Sequence, residues 1–430
     1  MEKLASFAHE AQVSDDVREQ AFRAWTNYLA AAIHGAHTSE GQKFLNGVAG
    51  LGEGDNPVVG VSYVKAVGTA ALVNGAFAHI DDFDDTHLET VSHPSTPVIA
   101  AIYANFNESY LDETVIYATA VGTEVVIRMA QLVHPSHYDC GWHVTASVGG
   151  IGAAMAVGIL KGLSVCELTM AGALAALQPG GLRAAFGTMG KSFQVGRASE
   201  LGVTAAVLAQ NHVDAPADIL EARRGFRITS EDFHPDRWND LGTEWEFLRD
   251  TFKPYPCGIV THPLIDLGIM AHGRGIQSES VKSVELSVDP LVLELTDIQS
   301  PSTGLEIKFS ARTLFAVALI HGTIDLSVFE QPPFSAVQKL ATRVTLVPDP
   351  RVPRDSARML IRLANGNQLK LVVEHARGSL ANPLGWGDLK KKFMQSVLPE
   401  WGSWECWNAM DAARRGGASL SDLPAVFARR

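Results

Sequence analysis

The chain has 430 residues, of which 46% are hydrophobic and 19% charged, with a formal net charge of -12. That length exceeds what one hydrophobic core ordinarily serves, so two domains are expected, and the apolar share is that of a globular chain rather than a disordered one. The acidic balance argues against nucleic acid as a partner, because neutralising phosphates needs a basic surface. A small anionic ligand stays open, since local cations set the field inside a cleft.

Cys140, Cys166, Cys257 and Cys406 lie far apart, with neither CxxC nor zinc-type Cys/His spacing. A reducing, cytoplasmic location is expected. The opening Met-Glu-Lys-Leu-Ala-Ser carries no apolar stretch of the secretory kind. The longest uncharged run, Val144 to Leu160, is dominated by small residues and is short for a bilayer. It reads as a buried helix, and no membrane partner is expected.

In chain order, Ser14 caps a helix whose first turn holds Asp15 and Asp16, matching the helix dipole. Ala21, Trp25, Leu29 and Ile33 follow along it as one buried stripe. Val67 to His79 is a second helix and Leu111 to Val133 a third. Gly149, Gly150 and Gly152 follow no strand, so they read as close helix–helix contacts rather than a dinucleotide loop. Gly162 suits a C-cap, Ser164 with Glu167 makes a capping box, and Pro179-Gly180-Gly181 stops the helix that follows. Another helix is expected from about Arg197 to Gln210.

Beyond Phe252 the pattern changes. Val284, Leu286 and Val288 alternate with polar residues, as do Met359, Ile361 and Leu363, and Asn365-Gly366 turns the chain into Leu369, Leu371 and Val373. A helix from Leu305 to His321 is expected between these strands. Residues 1–252 therefore read as a helical domain, completed by 379–430, with 253–378 as a smaller α/β domain. The returning helix, near Leu384 to Leu398, should hold Asp388, Lys390, Lys391 and Lys392 on its wet side.

Four stretches carry chemistry. The first is Ala78-His79-Ile80-Asp81-Asp82-Phe83-Asp84-Asp85-Thr86-His87, followed by Ser92-His93-Pro94-Ser95. Acidic runs ordinarily face water, but Ile80 and Phe83 thread this one with apolar side chains that pull it inward. Pro94 keeps His93 off helical backbone, and carboxylate beside buried imidazole is how proteins tune a proton carrier. The second is Cys140-Gly141-Trp142-His143-Val144-Thr145-Ala146, where a histidine opens a long apolar helix. A helix N-terminus disfavours imidazolium and so favours a neutral base; a core histidine satisfied by a carbonyl is the plainer alternative. The third runs from Phe186 to Ala198 and brings Lys191 and Arg197 together with Gly187, Gly190 and Gly196. Arg197 is placed near a helix start, where a carboxylate would meet free N–H groups, although cations in a glycine-rich loop are most often solvated. The fourth is Phe252-Lys253-Pro254-Tyr255-Pro256-Cys257-Gly258 with Thr261-His262-Pro263, a proline-stiffened crossing between domains. Cys257 with His262 admits a second reading as thiol nucleophile and base.

These four stretches together resemble the MmgE/PrpD family, which includes 2-methylcitrate dehydratase, cis-aconitate decarboxylase and iminodisuccinate epimerase. "DDFDDTH" with "HPS" is similar to the family's acidic motif, and Gly-Trp-His resembles its "G-(F/W)-H-P-T" block, with Val144 where proline is usual. Gly187-Thr188-Met189-Gly190-Lys191 resembles "GTMTKPxHxGxAA", departing at Ser192 and Gln194, and Lys253-Pro254-Tyr255-Pro256 resembles the "KPYPxCxxxH" hinge. The resemblance implies a mainly α fold with an α+β second domain: a large all-helical domain plus a smaller α/β lid. It implies catalytic roles for Asp82, His93, His143, Lys191 and Lys253, substrate contacts from Thr86 with support from Arg197, no cofactor, no metal, and a homodimer. The expected activity is a cofactor-independent lyase dehydrating a 2-methylcitrate-like hydroxy acid. Epimerisation of an amino-dicarboxylate and decarboxylation of cis-aconitate are the alternatives. Decarboxylating members carry a tyrosine where Thr313 aligns, which lowers that alternative. A carboxylate-binding protein without catalysis is the reading from another class.

Overall fold

A computed structural model describes residues 1–107, 109–330 and 335–428. The chain forms two compact units, one of Met1–Ile80, Asp84–Thr251 and Gly385–Arg430, the other of Asp81–Phe83 and Phe252–Leu384. The fold is mainly helical, with one unit of packed helices and one built on a sheet.

In the helical unit, Ser14 accepts from Val17 N and starts the helix Asp15–His37, whose Trp25 is buried and donates to Thr119 Oγ1 at 2.9 Å. Helices Val67–His79, Ser95–Ala104, Asp112–Val133, Val144–Leu160, Val165–Ala176 and Met189–Gln210 pack against one another. Small residues set the spacing. A Cβ added to Gly196 would lie 2.2 Å from the Leu72 carbonyl, and one added to Gly152 would lie 2.3 Å from that of Gly122. The glycines of Val144–Leu160 thus serve helix contact, as expected. Ser164 and Glu167 complete their capping box. Asp112–Val133 is long and apolar enough to cross a bilayer by composition, yet 94% of its apolar window is buried inside the protein, which makes it a core helix.

Two expectations fail here. The helix expected from Arg197 begins at Met189, because Thr188 Oγ1 accepts from Gly190 N at 3.1 Å and nucleates it earlier. Lys392 is not on a wet face. It is buried in the helix Trp386–Ser396 and donates to Asn27 Oδ1 at 2.6 Å, fastening the C-terminal segment to Asp15–His37.

The second unit is a four-stranded sheet in the order Val344–Pro348, Val281–Val288, Ala357–Leu363, Gln368–Val373. The first pair is parallel and the others antiparallel. Gly366, at φ 88°, makes the expected turn into the last strand. Val284, Leu286, Val288, Met359 and Ile361 pack in one core with Leu264, Leu267, Leu314 and Phe315 of the helices His262–Gly273 and Ala311–His321. The single helix expected from Leu305 is broken into Gly304–Ile307 and Ala311–His321, since Ser310 is drawn into a bridge with Asp297. The strand Val344–Pro348 lacks a clean alternation and was not anticipated.

Candidate active site

The helix Val67–His79 ends on a histidine, and the acidic run follows at once. Its members divide between the units: Asp81–Phe83 belong to the second and Asp84 onward to the first. His87 N closes the loop on the Ser92 carbonyl at 2.9 Å, and Pro94 leads into the helix Ser95–Ala104. This short return places His93 beside His79, with ring centroids 4.6 Å apart. His143, at the N-cap of Val144–Leu160, brings a third ring to 5.7 Å from that of His79.

All three imidazoles are buried, and each has a partner at Nδ1. His79 Nδ1 lies 2.7 Å from Asp84 Oδ2. His93 Nδ1 donates to the Asp85 carbonyl at 2.7 Å and stands 3.1 Å from Asp84 Oδ1. His143 Nδ1 lies 2.9 Å from Gln194 Oε1. Among the described residues, Nε2 of His79 and Nε2 of His143 are buried without a hydrogen-bond partner. A partner on one ring nitrogen decides where the proton sits, so Nε2 is the bare, basic nitrogen of His79 and of His143.

Burial pushes His79 down to about 4, with Lys191 assisting and Asp84 opposing. His143 is held well below the usual imidazole range, by burial first and then by the Lys191 ammonium and His79. The direction matches the sequence expectation, but the cause is burial and a neighbouring cation rather than the helix terminus. Lys191 is itself buried in the first turn of Met189–Gln210, its Nζ 5.5 Å from the Phe186 ring centroid. Thr86 is buried, and its hydroxyl donates to the Asp85 carbonyl at 2.7 Å.

Arg197 needs a correction. It lies within the helix rather than at its start, and its guanidinium is exposed and paired with Glu200. It lines a cleft of about 320 Å³ with Ala146, Gly181, Gln194 and Leu201, so Gln194 stands between this cleft and His143.

Within the second unit, two buried lysines seize consecutive residues. Lys253 Nζ donates to the Asp82 carbonyl at 2.9 Å and lies 3.1 Å from Asp82 Oδ1. Lys308 Nζ donates to the Asp81 carbonyl at 2.9 Å, to Asp81 Oδ1 at 3.3 Å and to the Pro256 carbonyl at 3.2 Å. Asp82 sits at φ 52°, a left-handed conformation that needs such support in a residue with a side chain. Cys257 is fully buried, contacts Thr261 Oγ1 at 3.3 Å, and is pushed up by burial to about 12. A thiol so protonated is no nucleophile at neutral pH, which removes the Cys257–His262 reading. Tyr255 donates to Asp266 Oδ1 at 2.6 Å and belongs to the core.

The structure thus brings His93, His143 and Lys191 into one neighbourhood of the first unit and pairs Asp82 with Lys253 in the second. Sequence reasoning missed four residues: His79, Asp84, Gln194 and Lys308. His79 and Asp84 were legible only as members of the acidic run, and the ladder of partners that singles them out is tertiary. Among the described residues, two groups carry metal-type donors, and both are balanced within the protein: Nδ1 of His79 engages Asp84 and Nδ1 of His93 the Asp85 carbonyl, while Glu89 and Glu246 face Arg237 at 3.2 Å and Arg249 at 3.4 Å.

The chain matches the MmgE/PrpD N-terminal domain over residues 2–235 and the MmgE/PrpD C-terminal domain over residues 255–403. Among curated proteins it is 26% identical over 346 residues to cis-aconitate decarboxylase of Mus musculus, covering 75% of this chain and 70% of that protein. The Homo sapiens cis-aconitate decarboxylase is 24% identical over 375 residues, covering 82% and 76%. That of Aspergillus terreus is 28% identical over 271 residues, covering 59% and 55%. With both family domains matched along most of its length, this chain belongs to the MmgE/PrpD family.

Proposed function

We propose that this protein is a cofactor-independent lyase acting on a small polycarboxylate, most closely by dehydrating a 2-methylcitrate-like hydroxy acid. The observation that carries the reading is the pair of buried imidazoles, His79 and His143, held neutral with bare Nε2 atoms beside Lys191. Taking a proton next to a carboxylate needs a neutral base. It also needs a cation already in place for the charge that moves onto the carboxylate oxygens. His143 or His93 is the base, Lys191 the cation, and a second proton carrier protonates the departing hydroxyl, so that water leaves and a C=C bond forms. The family assigns catalytic roles to Asp82 and Lys253 as well, and we retain them, with Thr86 and Arg197 as substrate contacts.

A second reading is decarboxylation, favoured by the relatives, which are named cis-aconitate decarboxylases. Loss of carbon dioxide leaves a carbanion that needs an acid rather than a base. At the position aligned with the decarboxylases' tyrosine stands Thr313, buried and accepting from Ser310 Oγ at 2.8 Å. That hydroxyl is a far weaker acid than a phenol, which is why dehydration is preferred. Incubating the purified chain with 2-methylcitrate, citrate, cis-aconitate and iminodisuccinate tests the choice. Formation of an unsaturated tricarboxylate from 2-methylcitrate supports dehydration, release of carbon dioxide from cis-aconitate replaces it by the second reading, and turnover of none overturns both.

A further inference from the structure

In the helical unit one carboxylate serves two rings. Asp84 is fully buried, with Oδ2 2.7 Å from His79 Nδ1 and Oδ1 3.1 Å from His93 Nδ1. Thr96 Oγ1 has a single proton and gives it to Asp84 Oδ2 at 2.7 Å, its distance to Asp85 Oδ1 being 3.5 Å. Burial alone would raise the Asp84 carboxyl, but the two imidazoles more than offset it and hold it well below the usual carboxylate range. The neighbouring pair behaves differently. Asp85 accepts from Ser95 N at 2.8 Å, and burial pushes both Asp85 and Asp250 upward. Of the three carboxyls, Asp84 is the one held below the ordinary range.

An anion hydrogen-bonded to the Nδ1 of His79 and beside that of His93 has a definite consequence. A neutral imidazole with its proton on Nε2 would aim a lone pair at the carboxylate, whereas one with its proton on Nδ1 donates a charge-assisted hydrogen bond. We infer that Asp84 is a positioning residue that locks His79 in the tautomer with a bare Nε2, while the Asp85 carbonyl sets that of His93, and that Asp84 is the counter-charge for the imidazolium formed when either ring takes a proton. On uptake the proton binds Nε2, the C–H electron pair stays with the substrate carbon, and the new ring charge faces Asp84. Because one carboxylate neutralises one imidazolium, the pair stores one proton at a time. The catalytic half of this inference rests on the lyase reading; the tautomeric half does not.

The test is nitrogen-15 NMR of the full chain labelled at histidine, near pH 7.5, with rings assigned through His79→Gln and His93→Gln. Both rings are expected to carry their proton on Nδ1 and none on Nε2. Either ring protonated on Nε2, or present as imidazolium, would overturn the inference. In Asp84→Asn, the His79 tautomer is expected to redistribute while the Asp85 carbonyl keeps that of His93, and kcat on whichever polycarboxylate the unaltered protein turns over should fall about a thousandfold or more, with KM changing much less. An unchanged His79 tautomer with kcat within threefold would also overturn it. If Asp84→Asn does not fold, the spectra of the unaltered protein decide alone. If no polycarboxylate is turned over, the lyase reading falls while those spectra still judge the role of Asp84.

Discussion

Gln194 accepts the Nδ1 proton of His143 at 2.9 Å while its amide nitrogen donates to the Leu182 carbonyl at 3.2 Å. A carbonyl can only accept, so the Leu182 contact turns the amide nitrogen that way and leaves Oε1 on the ring. An amide oxygen in turn can only accept, which makes His143 Nδ1 the donor and bares its Nε2. This position is one of two in the Lys191 stretch that depart from the family pattern, and it proves to be the orienting partner of the proposed base.

Gln194→Ala should therefore release the ring while leaving its nitrogens chemically intact. Leaving a buried polar group without its partner costs about 1–3 kcal/mol, which corresponds to roughly 5- to 150-fold in kcat if the loss is felt in the transition state. Steady-state kinetics on the accepted substrate measure it. An unchanged kcat would mean that packing against Phe186, at 5.2 Å between ring centroids, orients His143 by itself.

His143→Ala and Lys191→Ala should each lower kcat by about a hundredfold or more, the usual scale for acid–base and electrostatic groups. Thermal melts must accompany these measurements, since both side chains are buried. Near-normal rates in both folded variants would remove this pair from the mechanism.

Stability should fall on acidification. His79 at about 4 and His143, also depressed, have folded pKa values below the ordinary 6.5. Below pH 6.5 the unfolded chain takes up protons that the folded one refuses, so their contribution is complete above that value and is lost as pH drops toward 4. Urea unfolding from pH 7.5 to 4.5 should show this loss, and His79→Gln should make it shallower. An equal slope in that variant would place the titration elsewhere.

Asp250 carries the opposite sign. Burial, and then Asp85, raise it well above 3.8. The unfolded chain ionises above that pH while the folded one keeps its proton, so the contribution of Asp250 is complete at low pH and is lost as pH rises. Asp250→Asn, neutral at every pH, should thus be tolerated and should gain stability over the unaltered protein as pH increases from 5 to 8. A variant less stable throughout this range would show that the carboxyl is needed in its charged form.

Alkylation should leave Cys257 untouched in the folded protein, because it is buried and its thiol is pushed up to about 12, whereas Cys140 and Cys166 are exposed. Peptide mapping after iodoacetamide treatment measures this directly. Cys257→Ala should keep kcat within about threefold. Modification of Cys257 under native conditions, with loss of turnover, would reopen the thiol reading.

What the chain reveals unaided is whatever a few neighbouring residues decide. Ser14 with Asp15 and Asp16, Ser164 with Glu167, and Asn365-Gly366 each satisfy or bend backbone within a turn, and each is found where it was read. The four family stretches are legible for a similar reason: each is a short run whose residue order is itself the signal. Arg197 and Lys392 were misplaced because their neighbours in sequence do not settle their surroundings. Thr188 moves a helix start upstream of Arg197, and Asn27 draws Lys392 into the core from hundreds of positions away. The tautomers of His79, His93 and His143 likewise depend on Asp84, the Asp85 carbonyl and Gln194, brought there by packed helices. Burial then sets the proton affinities, because desolvation acts on a side chain only after distant segments have closed over it.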